Sequence, residues 1–407
     1  MSLAPTRVDV AIVGGGMVGA SLALALQGTS LKVALIEAVA PESAAQPSFD
    51  DRTTALGNGA RRILETLGVW PQIASGAGAI RSIHISDAGR FGFARLEASQ
   101  HQLTAFGYTL SNRHIGAVLW HSLRAHGRVS LLCPARTIDA RIAADGARLR
   151  IADAAGVETE LHAALVVAAD GAHSLIKQAA GITSSEDDYR QVAVVANIRT
   201  DARAGGIAYE RFADTGPMAL LPLAGGDYTI IWTLEPDRAA AVQACEPVLF
   251  CEQLQRAFGW RAGRIREVGR RAAYPLALVR ALEPTATRVA LIGNASQALH
   301  PVAGQGFNLG LRDAAVLAEL IAAAVDPGAP AVLAEFAARR ADDRRSMIGF
   351  TDNLVKLFGD RGAAMIAARN LGLLLFDLSA PAKRALARLS FGFGDVLPRL
   401  SRGLPLS

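Results

Sequence analysis

Residues 14–19 read Gly-Gly-Gly-Met-Val-Gly, a G-x-G-x-x-G run. It follows the β-branched stretch Val8-Asp-Val-Ala-Ile-Val13 and opens an alanine-rich apolar stretch from Met17 to Gln27. Each glycine meets a different demand. Gly14 permits the tight turn, Gly16 lets backbone approach a pyrophosphate, and Gly19 lets helix and strand pack closely. The helix start adds unpaired N–H groups and about half a positive charge for phosphates. Lys32-Val-Ala-Leu-Ile-Glu37 then reads as a second strand with an acid at its end. An acid about 20 residues past the turn suits an adenosine ribose and repels a 2′-phosphate. A bare glycine turn beside a surface glutamate is the rival, and the flanking strand and helix argue against it. Strand, turn, helix, strand is a βαβ unit, which requires a parallel sheet covered on both faces.

Leu165-Val-Val-Ala-Ala-Asp170 and Arg288-Val-Ala-Leu-Ile-Gly-Asn294 read as further central strands. Other stretches alternate instead. Arg81 to Leu96 turns around Asp87-Ala-Gly89, a hairpin signal. Residues 190–235 hold strand-like runs such as Met218–Leu221 and Tyr228–Trp232, separated by Gly-Pro and Gly-Gly-Asp turns. The expected class is α/β: a Rossmann-like domain with a central parallel sheet, an antiparallel-sheet substrate domain and a C-terminal helical segment. The first domain is expected at 1–78, 104–184 and 286–345. The second is expected at 79–103 and 185–285, and the helical region at 346–407.

Several function classes are excluded early. The 407 residues are 51% apolar and 19% charged, the balance of a folded globular protein. No apolar run approaches the ~18 residues of a membrane span. The N-terminus lacks a charged segment followed by an apolar one, so export by a signal peptide is not expected. Three cysteines, Cys133, Cys245 and Cys251, are an odd number without C-x-x-C spacing, which fits a reducing, cytoplasmic setting. His121 and His126 do not share a helix face, and no metal site is expected. The net charge of +5 is concentrated, with +4 in residues 346–407. That is not a nucleic-acid footprint, but it suits a tail resting on an anionic surface. As a helix, Lys383–Phe393 would group Leu386, Leu389 and Phe393 opposite Arg384 and Arg388. It either packs on the enzyme or sits peripherally on the inner face of the membrane.

The late segment Gly293-Asn294-Ala-Ser-Gln-Ala-Leu-His300-Pro301-Val-Ala-Gly304-Gln305-Gly306-Phe307-Asn308-Leu-Gly310 follows a strand and opens a long helix. It resembles the second FAD motif of the aromatic-ring flavoprotein monooxygenases of the para-hydroxybenzoate hydroxylase type. Asp170-Gly171-Ala-His-Ser174 resembles their Asp-Gly motif, and Asp51-Arg52 their flavin-proximal arginine. Most of that superfamily has Gly-Asp where this chain has Gly293-Asn294. The asparagine, the rest of that segment, Arg344–Phe358 and Arg369-Asn-Leu-Gly-Leu resemble the ubiquinone-biosynthesis hydroxylases, the 2-polyprenyl-6-methoxyphenol type in particular.

The resemblance implies one non-covalent FAD, reduced by NAD(P)H and reacting with O2 to a C4a-hydroperoxide that hydroxylates a polyprenylated phenol. It also implies partners among other ubiquinone-biosynthesis proteins. Expected cofactor contacts are Gly14, Gly16, Gly19, Glu37, Arg52, Arg113, Asp170, Asn294, Gly304, Gly306, Phe307 and Asn308. Arg52, His300, Pro301 and Gln305 form the candidate catalytic set. Each has a blander alternative: Arg52 a salt bridge with Asp50 or Asp51, Asp170 a helix cap, Arg113 an exposed helix-start arginine. A general base at His300 is hardly required for oxygen transfer to an activated phenol. Tyr209, Phe212, Leu220, Pro222 and Trp232 lie in the sheet expected to roof the ring, as core or contact. With no second G-x-G-x-x-G, NAD(P)H is expected to bind transiently. The rivals are the same flavin chemistry on a soluble aromatic metabolite, a flavoprotein reductase that leaves O2 alone, and a non-catalytic flavin subunit.

Overall fold

The computed structural model describes residues 6–43, 45–48, 52–213, 215–300, 304–359, 362–379, 381–384 and 397–406. Two large sheets share the chain. The first holds β1 (Thr6–Val13), β2 (Val33–Ile36), β8 (Ser130–Leu132), β11 (Glu158–Ala168), β18 (Thr285–Ala286) and β19 (Val289–Leu291). Their order is β18-β19-β11-β1-β2-β8, and the hairpin β9 (Ala135–Ala143) and β10 (Gly146–Asp153) joins through β11. β1 runs parallel to both neighbours, with Val10 beside Leu165 and Val33. Val10 to Val13 are buried, as a central strand covered on both faces requires.

Helix α1 (Met17–Leu26) is buried from Gly19 to Leu26 because α4 (Asn112–His126) and α8 (Gln305–Ala322) pack against it. That burial explains why it is apolar all round. The α1–α8 layer and one face of the first sheet make a single core containing Ile12, Leu22, Leu35, Leu165 and Leu317.

The second sheet holds β5 (Ser82–Asp87), β6 (Phe93–Glu97), β12 (Ser184–Thr200), β13 (Ile207–Ala213), β14 (Gly216–Pro222), β15 (Tyr228–Leu234), β17 (Ala272–Ala281) and β20 (Gln297–Ala298). The order is β20-β17-β12-β15-β14-β13-β5-β6, with β16 (Ile265–Val268) beside β12. Neighbours are antiparallel except β13 and β5, which are parallel because the chain leaves and re-enters the sheet between them. One face packs on α6 (Pro236–Ala244) and α7 (Pro247–Phe258) through Trp232, Phe250 and Leu254. The other face turns toward the first sheet. β3 (Thr53–Gly57), β4 (Gly78–Ile80) and β7 (Gly107–Ser111) form a small sheet, flanked by α2 (Asn58–Thr66) and α3 (Trp70–Ala74). α5 (Leu175–Ala179) follows β11.

The C-terminal part departs from expectation. α9 (Pro330–Gly359) is one helix running straight through position 346, where a boundary was expected. It packs on α8, and α10 (Ala363–Leu378) lies against β6. The expected Lys383–Phe393 helix falls largely on residues 385–396, outside the described residues. Lys383 itself pairs with Asp377 at 2.6 Å. Among the described residues no helix is long and apolar enough to cross a membrane.

Candidate active site

The two sheets and the C-terminal helices enclose a cavity of about 1400 Å³. A typical small-molecule site holds ~300–1,000 Å³, so this space exceeds one ordinary ligand.

At one end lies the glycine turn. A Cβ on Gly14 would sit 2.4 Å from the Ala169 carbonyl oxygen, and its φ of +102° also requires glycine. A Cβ on Gly19 would sit 1.9 Å from the Gly14 oxygen. Gly19 is therefore a packing residue behind the turn and does not line the cavity. Gly16 differs, since a Cβ there would meet only Ser48, 2.9 Å from its Oγ. Its far side is the cavity, where Gly16, Met17 and Val18 present the first turn of α1 without a side-chain cap. That is an anion cradle.

Glu37 ends β2, as the βαβ pattern requires. Its Oε2 accepts from Gly15 N at 2.6 Å and its Oε1 from Val39 N at 2.9 Å and Gln46 Nε2 at 3.2 Å. A carboxylate has about four acceptor sites, so one remains for a hydroxyl in the cavity. Asp170, two residues past the end of β11, accepts from Leu175 N through Oδ2 at 3.1 Å. Its Oδ1 is buried with no partner among the described residues. Burial raises its carboxyl above the usual value, opposed by hydrogen bonds from Ser174 and nearby backbone N–H groups. The cap of α5 is Ser174, which accepts from Lys177 N. An orphaned acceptor beside an open anion cradle fits a polyol joined to a pyrophosphate, a pair of groups that FAD carries.

The late segment closes the same end. Gly293 and Asn294 line the cavity. A Cβ on Gly310 would lie 2.8 Å from Val18 Cγ2, so α8 crosses the start of α1 at close range. Gly304 caps α8 with φ +61°, and Gly304, Gln305, Gly306 and Phe307 line the cavity. The helix thus starts three residues before Asn308. That residue faces away: its Nδ2 donates to Ala55 and Gly304 carbonyls, and its Oδ1 accepts from Gly57 N. Asn308 thus stitches α8 to β3 and stands off the cavity wall.

Arg113 also stands off the wall. It is exposed and absent from the cavity wall, whereas Asn112 lines it and accepts from Thr54 Oγ1 at 2.7 Å. These are the first two residues of α4, and one helical step of about 100° separates inside from outside. Arg52 does line the cavity, with its guanidinium 4.5 Å from the Tyr274 ring centre and Nη2 donating to the Pro47 carbonyl at 3.0 Å. Asp50, Asp51 and Pro301 lie outside the described residues. His300 lines the cavity, with its ring edge-on to Tyr189 at 5.3 Å. Burial pulls its pKa down to about 4, so the ring is neutral at pH 7. Among the described residues no His, Cys, Asp and Glu group of three or more converges as a metal site.

The second sheet contributes by alternation. Leu220 and Trp232 belong to the core on the α6–α7 face, while Leu221 and Ile231 line the cavity. Pro222 is off the wall, and Tyr209 and Phe212 are on it. Three contributions escaped the sequence reading: Glu210, the inner face of α10 (Ala368, Gly372, Leu373, Phe376), and Phe350 and Leu354 of α9. Glu210 stands in Ile207-Ala-Tyr-Glu-Arg-Phe212, where a lone acid in an apolar strand was the available signal.

A parallel sheet with a glycine phosphate turn, joined to an antiparallel sheet across a shared cavity, defines a dinucleotide-binding oxidoreductase of the two-sheet flavoprotein kind. Residues 7–351 match the FAD binding domain family, and the chain belongs to that family. Ubiquinone hydroxylase UbiL of Rhodospirillum rubrum is 37% identical over 405 residues, spanning 98% of this chain and 93% of that protein. The 3-demethoxyubiquinol 3-hydroxylase of Escherichia coli is 29% identical, over 94% and 98% of the two chains. Among solved structures, p-nitrophenol 4-monooxygenase PnpA of Pseudomonas putida superposes with a TM-score of 0.81 at 22% identity, covering 96% of this chain and all of that one. The protein is an FAD-dependent monooxygenase.

Proposed function

We propose that the protein hydroxylates the aromatic ring of a polyprenylated phenol in ubiquinone biosynthesis, with NAD(P)H as transient reductant and O2 as oxygen source. The observation that carries this reading is the apolar extension of the cavity. Beyond the glycine turn and the α8 start, its wall becomes Ile83, Ile85, Leu96, Leu221, Leu373 and Phe376. Such a wall suits a hydrocarbon tail, and the volume allows one beside a cofactor.

In this reading FAD would activate O2 when bound, and the protein supplies placement, electrostatics and water exclusion. The α1 start with Gly14 and Gly16 receives the pyrophosphate, Glu37 the ribose, and Asp170 and Asn294 the linking polyol and phosphates. Arg52 flanks the flavin. The α8 N-terminus, with Gly304, Gly306 and Phe307, turns its dipole toward the ring system, favouring negative charge there by ~0.3–2 kcal/mol. Gln305 lies in that same turn. Neutral His300 shapes the wall without carrying a charge at pH 7.

We further propose that the tail-binding end meets the membrane. α10 turns Leu371, Leu375 and Leu378 outward, 56%, 58% and 83% exposed, while its other face lines the cavity. The surrounding +4 region would add up to ~1 kcal/mol per basic group at an anionic surface, weakened by salt. One experiment has two arms. Turnover of a polyprenyl phenol held in anionic vesicles is expected to exceed that of the tail-less phenol in kcat/KM by about a hundredfold or more, the range of a few buried methylenes. It is expected to fall as salt rises, while turnover of the tail-less phenol does not. Equal kcat/KM on both phenols would favour a soluble substrate, and salt-independent vesicle turnover would remove the membrane contact.

A further inference from the structure

Among the described residues three carboxyl groups line the cavity. Glu37 and Asp170 sit at the cofactor end and are held by backbone N–H groups. Glu210 is on β13, paired with Ile85 of β5 and Ala219 of β14, and Ala219 pairs in turn with Ile231. Ile85, Glu210, Ala219 and Ile231 form a row across the cavity face of the second sheet, and the acid is its sole polar member. Among the described residues its carboxyl has no hydrogen bond and no ion pair. An acid without a partner in an apolar wall lowers stability, and sheets keep such groups where function uses them. The one hydrogen-bond donor that a prenylated phenol brings into such a place is its hydroxyl.

We propose that the Glu210 carboxylate takes the phenolic hydroxyl of the bound substrate as its hydrogen-bond partner and receives its proton as the ring is hydroxylated. This rests on the function proposed above. The phenol O–H bond breaks and its proton passes to a Glu210 oxygen. The freed electron pair moves into the ring, and a ring carbon forms the new C–O bond to one oxygen atom derived from O2 while the O–O bond breaks and its electron pair leaves on the second oxygen. The proton on that carbon leaves to solvent, the ring regains aromaticity, and Glu210 returns its proton to the phenolic oxygen. That second oxygen takes up two protons from solvent and ends as water, the two electrons for this reduction having come from the reduced nicotinamide.

Burial alone pushes the Glu210 carboxyl up to about 8. The groups around it do not oppose this. On the cavity face Asp87 of β5 is ion-paired to Arg369 of α10 at 3.0 Å. On the opposite face Arg211 and His84 contact Ser86 and Arg261. Arg95 lies opposite His84, and the facing residues of α9 and β14 are apolar. Arg52, His300, Asp170, Glu37, Arg136 and His173 line the rest of the cavity. With the acid form prevailing below pH 8, kcat/KM should rise as pH increases toward that value.

The test compares FAD-loaded wild type, Glu210→Gln and Glu210→Leu on the polyprenyl phenol, with thermal unfolding of each at about pH 8. In Glu210→Gln, kcat is expected to fall by about 10²-fold or more with little change in KM, and the rise toward pH 8 to vanish. In Glu210→Leu, Tm is expected to match wild type or exceed it by a few degrees, since an unpaired acid has been removed. Wild-type kcat and pH dependence in Glu210→Gln would overturn the proposal. So would a lower Tm in Glu210→Leu, which would make Glu210 a structural residue. Absence of prenyl-phenol turnover in the wild type would instead overturn the function on which the proposal rests, and it is read directly in the wild-type sample.

Discussion

Gly16→Val is expected to fold and to emerge from purification without flavin. On its protein side an added Cβ meets only the Ser48 side chain, 2.9 Å from a hydroxyl that can rotate away. Losing glycine at the N-cap of α1 costs about 1 kcal/mol. The other side is the phosphate cradle, and valine methyl groups would occupy it. Overpacking of ~1–3 kcal/mol corresponds to roughly 5- to 150-fold weaker FAD binding, measured by fluorescence titration. Stability should be compared in the flavin-free forms, because FAD binding itself raises the holoenzyme's Tm. Gly19→Val should behave oppositely. With the Gly14 oxygen 1.9 Å from the new Cβ, the strand–helix junction cannot close, and the flavin-free protein itself should lose stability. Wild-type FAD affinity in Gly16→Val would remove the pyrophosphate from this turn.

Arg340→Leu is expected to be the most destabilising single change considered, by ~3–5 kcal/mol, because it strips a buried carboxylate of its cation. Arg340 donates from Nε to Asp313 at 2.7 Å and from Nη1 to Asp343 at 2.6 Å. Arg312 closes the network on Asp343 at 2.7 and 3.1 Å, and Gln297 donates to Asp313 at 2.8 Å. Asp313 is 1% exposed, so water cannot replace the lost guanidinium. Through Gln297 the network also holds the segment between Asn294 and His300. Burial raises the Asp343 carboxyl, but Arg312 and Arg340 outweigh it and leave its pKa lowered. Its contribution is therefore present above the unfolded pKa of ~3.9 and lost as pH falls through the lower folded value. Denaturant titrations should show a smaller acid-induced loss in Arg340→Leu than in wild type. A stability change under ~1 kcal/mol at pH 7 would contradict this account.

Legibility in the sequence followed the range of the physics. The glycine turn was legible because its constraints are local: a φ at Gly14, a contact at Gly19, an acid at the end of the next strand. Asp170 was legible for the same reason, at the end of a central strand. That Arg113 and Asn308 stand off the cavity wall was not legible, because each position depends on helix phase, and a boundary shift of one to three residues exchanges inside for outside. On β14 and β15 the two-residue period hid which of Leu220 or Leu221, and Ile231 or Trp232, faces the cavity. Nothing local in Phe350 or Phe376 says that α9 and α10 fold back over the second sheet. Glu210 was visible as a lone acid, but its meaning depends on the neighbours that β5 and β14 bring to it.

The most direct test of the central claim uses ¹⁸O2. The FAD-loaded protein, NAD(P)H and a polyprenyl phenol in vesicles are reacted under the labelled gas, and the product is analysed by mass spectrometry. The account predicts a ring-hydroxylated phenol carrying one ¹⁸O atom. A hydroxyl oxygen from water, or oxidation of NAD(P)H without a hydroxylated product, would contradict it.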